Sequence, residues 1–176
     1  RGRSVEPLPL DGRIIGAELD RLHPPYTKAP ANMVVLQQEF RPMSLGMRTL
    51  KGPLTILKVL LRRIGAIVRR QRLFGMGAAL TIAMRKGLMD AGVPVLYGTD
   101  LLGLVTDGDR VTGVRVRQGD TEAIITARHG VILGSGGFES NQELREEYLP
   151  QPTDAGWTTG SEFNTGAGHV AGIEAG

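Results

Sequence analysis

Gly130-Val-Ile-Leu-Gly-Ser-Gly-Gly-Phe-Glu139 is the stretch whose reading decides the fold. A short apolar run breaks abruptly into glycines and then into helix-forming residues. That is the pattern of a buried parallel strand, here residues 130–133, delivering bare backbone to a ligand at its carboxyl end. Residues 139–147 follow as a helix with an acidic first turn, the sign that the helix dipole prefers. About one helix later, Asn164-Thr-Gly-Ala-Gly-His169 forms a second glycine-rich turn that opens a small-residue helix. Two such turns point to a large ligand held by main-chain N–H groups.

The second turn contains Gly166-Ala-Gly-His-Val-Ala171, a formal match to the dinucleotide fingerprint G-x-G-x-x-(G/A). Its context is wrong, because residues 162–165 do not read as a strand and no βαβ unit follows. It reads better as a helix N-terminus aimed at an anionic or carbonyl oxygen, with Asn164 or Thr165 as the cap.

Upstream, an antiparallel meander is expected. Residues 94–97, 101–105, 110–117 and 122–127 carry strand-like runs, and Asp107-Gly-Asp-Arg110 is a hairpin turn. Before these, residues 77–91 form a helix stopped by Gly92. Residues 54–72 form another, with an apolar stripe through Leu57, Leu60, Leu61, Ile64 and Ile67/Val68. The cations Lys58, Arg62 and Arg69 fall largely off that stripe. The ordinary reading is a helix with a solvated basic face; the sharper one is contact with an anionic membrane surface. Residues 1–53 read as irregular, because Pro7, Pro9, Pro24, Pro25, Pro30, Pro42 and Pro53 break long helices. Met33-Val-Val-Leu36 could pair locally as an extended piece.

Composition narrows the function classes. With 41% hydrophobic and 22% charged residues the chain is globular rather than disordered. Gly 25 is about twice the usual share, concentrated in the C-terminal half. A net charge of +3 does not argue for nucleic acid. Cys 0 excludes disulfides, thiolate metal sites and a cysteine nucleophile. His129 and His169 have no ligand-spaced partner, His23 precedes two prolines, and no metal site is expected. Glu143, Glu146 and Glu147 read as a solvated helix face. Tyr26 and Tyr148 are candidate proton donors without a visible partner, so packing is the default for both. The start at Arg1 and the unfinished helix at Gly176 lead us to expect an internal piece of a longer, cytoplasmic or membrane-peripheral protein.

Five segments occur in a familiar order: Gly2-Arg-Ser-Val-Glu-Pro-Leu-Pro-Leu-Asp-Gly-Arg13, Gly75-Met-Gly-Ala-Ala-Leu80, Arg110-Val-Thr-Gly-Val114, residues 130–139 and residues 164–168. Together they resemble the interior of the FAD-dependent 3-ketosteroid dehydrogenases, within the fumarate reductase/succinate dehydrogenase flavoprotein superfamily. The resemblance implies an α/β chain: part of a Rossmann-like FAD-binding domain with an antiparallel meander, plus part of an α+β cap or substrate domain. Residues 1–74 would belong to the insertion or cap and 75–176 to the FAD domain. It further implies that the Leu101 backbone meets the adenine end of FAD. Gly134, Ser135, Gly136, Gly137 and Phe138 would line the cofactor, and Asn164, Thr165, Gly166 and Gly168 would lie near the flavin or pyrophosphate.

The same resemblance implies a steroid-like substrate, with the electron acceptor unspecified. The acidic residue of the family's last motif is Ala167 here. The family's N-terminal fingerprint and catalytic tyrosines match nothing in this span, so no catalytic residue is assigned. A fumarate-reductase-like flavoprotein, or a non-catalytic chain with a membrane-surface helix, are the alternatives. The former would need arginines and a histidine clamping a dicarboxylate.

Overall fold

A computed structural model describes residues 5–24 and 33–176. Residues 2–4 of the first family-like segment, with Pro25, Tyr26 and Pro30, lie outside the described residues. The chain divides into two compact units, residues 1–94 and 95–176.

In the first unit, β1 (Leu10–Asp11) pairs antiparallel with β2 (Leu73–Phe74), joining segments far apart in sequence. The Gly12 N–H donates to Arg72 O at 2.8 Å, and Asp11 Oδ1 accepts from the Arg72 N–H at 3.2 Å. Asp11 also grips the Arg13 guanidinium, which holds its carboxyl below the ordinary carboxylate range. A 3-10 segment, Gly12–Arg21, follows with a kink at Gly16. Its buried Ile15 and Leu19 meet the fully buried Ile82 of α3 (Met76–Asp90), with Leu10, Leu22 and Phe74 around them. A methyl on Gly12 would strike both the Phe74 ring and Leu19, so that approach requires glycine.

Residues 1–53 are more ordered than their prolines imply. Gln37–Leu45 is a helix, α1, with Pro42 inside it, and Gly46–Arg48 adds a 3-10 turn. Instead of a capping hydroxyl, α1 uses Glu39, whose Oε2 accepts from the Leu36 N–H at 3.0 Å. Residues 33–36 make no strand; Val34 instead offers its carbonyl to Arg62 Nη1 at 2.8 Å.

The helix α2 (Lys51–Val68) lies three residues earlier than its expected start, and it is turned over. Its buried positions are Gly52, Val59 and Ala66, a seven-residue stripe of small side chains that lets α1 approach closely. The expected core stripe faces outward, with Leu57, Leu60, Leu61, Ile64 and Ile67 all near half exposed and Val68 at 77%. Arg62, expected off the core, points inward and forms a fork with Glu39 at 2.9 and 2.5 Å, with Lys58 beside it. Glu39 is 3% exposed, and Arg62, the backbone N–H and Lys58 pull its pKa down to about 2. A buried carboxylate so satisfied can remain charged.

In the second unit, β3 (Thr99–Asp107), β4 (Arg110–Gln118) and β5 (Thr121–Thr126) form the antiparallel meander. Its two-residue turns begin at Gly108 (φ 56°) and Gly119 (φ 59°), the backbone sense that matches strand twist. Residues 94–97 are not a separate strand. Pro94 and the left-handed Gly98 keep them out, and one longer strand starts at Thr99. The helices α4 (Gln142–Tyr148) and α5 (Ala167–Glu174) complete the unit, and α5 packs on β3.

Candidate functional site

Residues 130–133 are neither a strand nor buried. Ile132 is 98% exposed and no ladder includes the segment. A parallel strand is held by neighbours on both sides, and among the described residues none pairs with it. The run nonetheless delivers Gly134, Ser135 and Gly136 as exposed backbone, with Gly136 at φ 81°. The helix that follows begins at residue 142 rather than 139. Asn141 is its cap, its Oδ1 accepting from the Leu144 N–H at 3.1 Å.

The second glycine turn folds back onto the first. Gly166 N–H donates to Gly137 O (3.1 Å), Ser140 N–H to Asn164 O (3.1 Å) and Asn141 Nδ2 to Thr165 O (2.9 Å). Ser140 Oγ donates to Ser161 O at 2.8 Å, and Asn164 Nδ2 to Glu139 Oε1 at 2.6 Å. Side chains at the glycines would prevent this closure. A methyl on Gly166 would sit 2.8 Å from Phe138 Cβ and strike Leu144, and one on Gly168 would strike Ser135 Oγ. Gly134, Ser135, Gly136, Gly137, Phe138, Asn164, Thr165, Gly166 and Gly168 are therefore one assembly. Leu101 lies on β3, half-buried and paired with Val116.

Neither Asn164 nor Thr165 caps α5. Its N-cap is Gly166 at φ 84°, and no side chain accepts from the first turn. The amides of Ala167, Gly168 and His169 thus lack intrahelical acceptors. No acidic residue lies in that turn, since its first position is Ala167. The N-terminal end of α5 is electropositive; Ala167 and His169 are exposed there, while Gly168 is buried beside Ser135.

Behind the loops, Phe138 meets His169 edge-on at 5.4 Å and Tyr148 at 6.0 Å. Phe138, Leu144, Tyr148, His169 and Ile173 line a half-open apolar pocket of about 120 Å³. Tyr148 is held by packing, and the neighbouring Glu147 raises its pKa, which makes it a weaker acid. Glu139 is held below the ordinary carboxylate range by the Asn164 hydrogen bond first, with Arg145 contributing.

Sequence reasoning missed Ser140, Asn141, Leu144 and Ser161 in this assembly. Asn141 carried a readable signal, an Asn just before Gln-Glu-Leu, as at many helix starts. The pairing of Ser140 with Ser161 carried none.

The arrangement fits a flavin dinucleotide. Two stretches of Cβ-poor backbone, exposed at 134–136, adjoin a helix N-terminus with free amides. Neutral main-chain donors can hold a pyrophosphate or a flavin carbonyl without a cationic clamp.

Comparison with known proteins agrees with this reading. The chain is 47% identical to a 3-oxosteroid 1-dehydrogenase of Mycolicibacterium smegmatis, across 97% of this chain and 31% of that protein. It is 32% identical to a 4-oxocyclohex-2-ene-1-carboxylate 5-dehydrogenase of Sinomonas cyclohexanicum, across 85% of this chain and 26% of that protein. Among solved structures, 3-ketosteroid delta1-dehydrogenase from Sterolibacterium denitrificans in complex with 1,4-androstadiene-3,17-dione superposes with a TM-score of 0.88. That match has 33% identity and covers 99% of this chain and 33% of the other. The chain thus spans about a third of the length of the relatives it matches. The α/β fold is that of the flavoprotein, and the FAD binding domain family matches residues 8–176. The chain belongs to the FAD binding domain family.

Proposed function

We propose that this chain supplies part of the FAD cradle, and part of the substrate cap, of a flavoenzyme that dehydrogenates a CH–CH bond beside a ring ketone in a 3-ketosteroid-like molecule. The observation that carries this reading is the hydrogen-bonded closure of residues 134–141 on 160–168, which leaves backbone donors exposed. Relatives named for oxosteroid and oxocyclohexene substrates support the substrate class: in both, a ketone acidifies the adjacent C–H. FAD, when bound, supplies the hydride acceptor for such a reaction. The chain's own part is to bind and orient. Residues 134–138 would line the cofactor, the α5 amides would face its flavin or pyrophosphate oxygens, and the Leu101 backbone would meet the adenine end. Residues 75–176 would belong to the FAD domain and 1–74 to the cap. No residue here is assigned as acid or base.

The fumarate-reductase reading ranks lower, because Arg62, which could have joined a dicarboxylate clamp, is committed to Glu39. The test is anaerobic mixing of the full-length flavoprotein with a 3-ketosteroid or with succinate. Bleaching of the flavin by the steroid alone is expected; bleaching by succinate alone would sink the steroid reading.

A second proposal concerns α2. No helix of the described residues is long and apolar enough to cross a membrane. The outward stripe of α2, with no acid and, besides the inward Arg62, five cations in residues 54–72, fits the surface of an anionic bilayer instead.

A further inference from the structure

Two side chains occupy the places that three glycines leave empty. Asn164 Oδ1 lies where a Cβ on Gly136 would be, and Glu139 Oε2 lies where one on Gly137 would be. Glu139 Oε1 sits 2.5 Å from the Cβ position of Gly160. These side chains join each other through the 2.6 Å bond from Asn164 Nδ2 to Glu139 Oε1. A carboxylate only accepts, so it fixes the amide with Nδ2 toward itself and Oδ1 toward Gly136. The bond spans 25 residues and joins, side chain to side chain, the arm carrying Gly134 to Phe138 and the one leading into α5.

We propose that Glu139 is a positioning residue for the cofactor site. Through Asn164 it latches the two glycine loops in the spacing that cofactor binding needs. This rests on the FAD reading above. Glu139 touches neither the exposed segment 134–136 nor the first turn of α5, residues 167–169, by any hydrogen bond of its side chain among the described residues; it acts through the amide it orients. Its main-chain carbonyl is held separately by Arg145 Nη1 at 3.4 Å, so a side-chain substitution leaves that tie in place.

The full-length holoprotein carrying Glu139→Gln, Glu139→Leu, Asn164→Asp or the pair Glu139→Gln/Asn164→Asp tests the latch. Glu139→Gln keeps an acceptor and Glu139→Leu does not. Asn164→Asp sets two carboxylates face to face, and the double variant restores one donor and one acceptor with reversed polarity. FAD affinity, read from flavin fluorescence on titration into the apoprotein, is expected to fall about tenfold in Glu139→Leu and Asn164→Asp. It should fall little in Glu139→Gln and return in the double variant. Hydrogen exchange of residues 163–166 in the flavin-free protein gives a second measure. It should quicken in the two disrupted variants and slow again in the double. Affinity unchanged in Asn164→Asp, or a double variant no better than Asn164→Asp by either measure, overturns the latch. If the unsubstituted protein binds no FAD while exchange still follows this order, the cofactor reading falls and the latch stands.

Discussion

At Gly136 the backbone sits at φ 81°, and the space beside it belongs to Asn164. From the motif alone, Gly136→Val would place a branched side chain against the flavin and leave the fold intact. The structure adds a protein-side consequence, because the same side chain would displace Asn164 and free Glu139. Gly136→Val should therefore lower bound FAD per chain, and also open residues 160–166 to proteases and destabilise the protein by about 1–3 kcal/mol. FAD loss with no change in proteolysis would contradict that account. Gly166, buried at φ 84° against Phe138 and Leu144, is another position in these loops where no side chain fits.

Glu39 and Arg62 carry a separate prediction. Arg62 foremost holds the Glu39 pKa near 2, below its ordinary 4.5. A folded-state value below the unfolded one means the pair stabilises fully above about 4.5 and loses that contribution as pH falls toward 2. Arg62→Leu strands a buried carboxylate, which costs about 3–5 kcal/mol near neutrality. Urea midpoints should show that penalty shrinking between pH 5 and pH 3, since protonation relieves the stranded charge. A penalty constant across that range would contradict it.

Among elements, α2 shows both what a pattern discloses and what it leaves out. Its helical period was legible, but it has two apolar faces. The eye assigns the core to Leu57, Leu61 and Ile64, while the buried positions are Gly52, Val59 and Ala66, and the Gly46 backbone just after α1 comes so close to Gly52 that only a small residue fits. Nothing local marks Glu39 as buried, and Pro42 hid α1 by reading as a breaker. The meander was legible, since Asp-Gly turns and alternation are local signals. Residues 130–133 were misread because a parallel strand depends on neighbours distant in sequence. The loop glycines were legible as a group; their mutual closure depended on Ser140, Asn141 and Ser161, which carry no pairing signal. The outward face of α2 predicts flotation with anionic liposomes at low salt. Leu57→Glu/Leu61→Glu should abolish that flotation without changing the melting temperature. A chain that never floats would remove the membrane proposal. In the first unit, the fully buried Ile82 predicts that Ile82→Ala lowers stability by about 2–5 kcal/mol, measured by urea unfolding. A loss below about 1 kcal/mol would show that the cluster with Ile15 and Leu19 is not the unit's core.

For the whole molecule, the family assignment and the loop assembly address different questions. Sequence relationship supplies the cofactor class. The geometry says how this chain presents itself to that cofactor: two glycine loops stitched by five hydrogen bonds, with Gly134, Ser135 and Gly136 exposed and the α5 amides unspent. The meander and α5 form one unit that bears both loops, so the site depends on elements within residues 95–176. The most direct measurement is hydrogen exchange on the full-length protein with and without FAD, resolved at residues 135–138 and 167–169. The account predicts that both segments slow together on FAD binding while β5 is unchanged. FAD binding that leaves both segments at their free rates would contradict it.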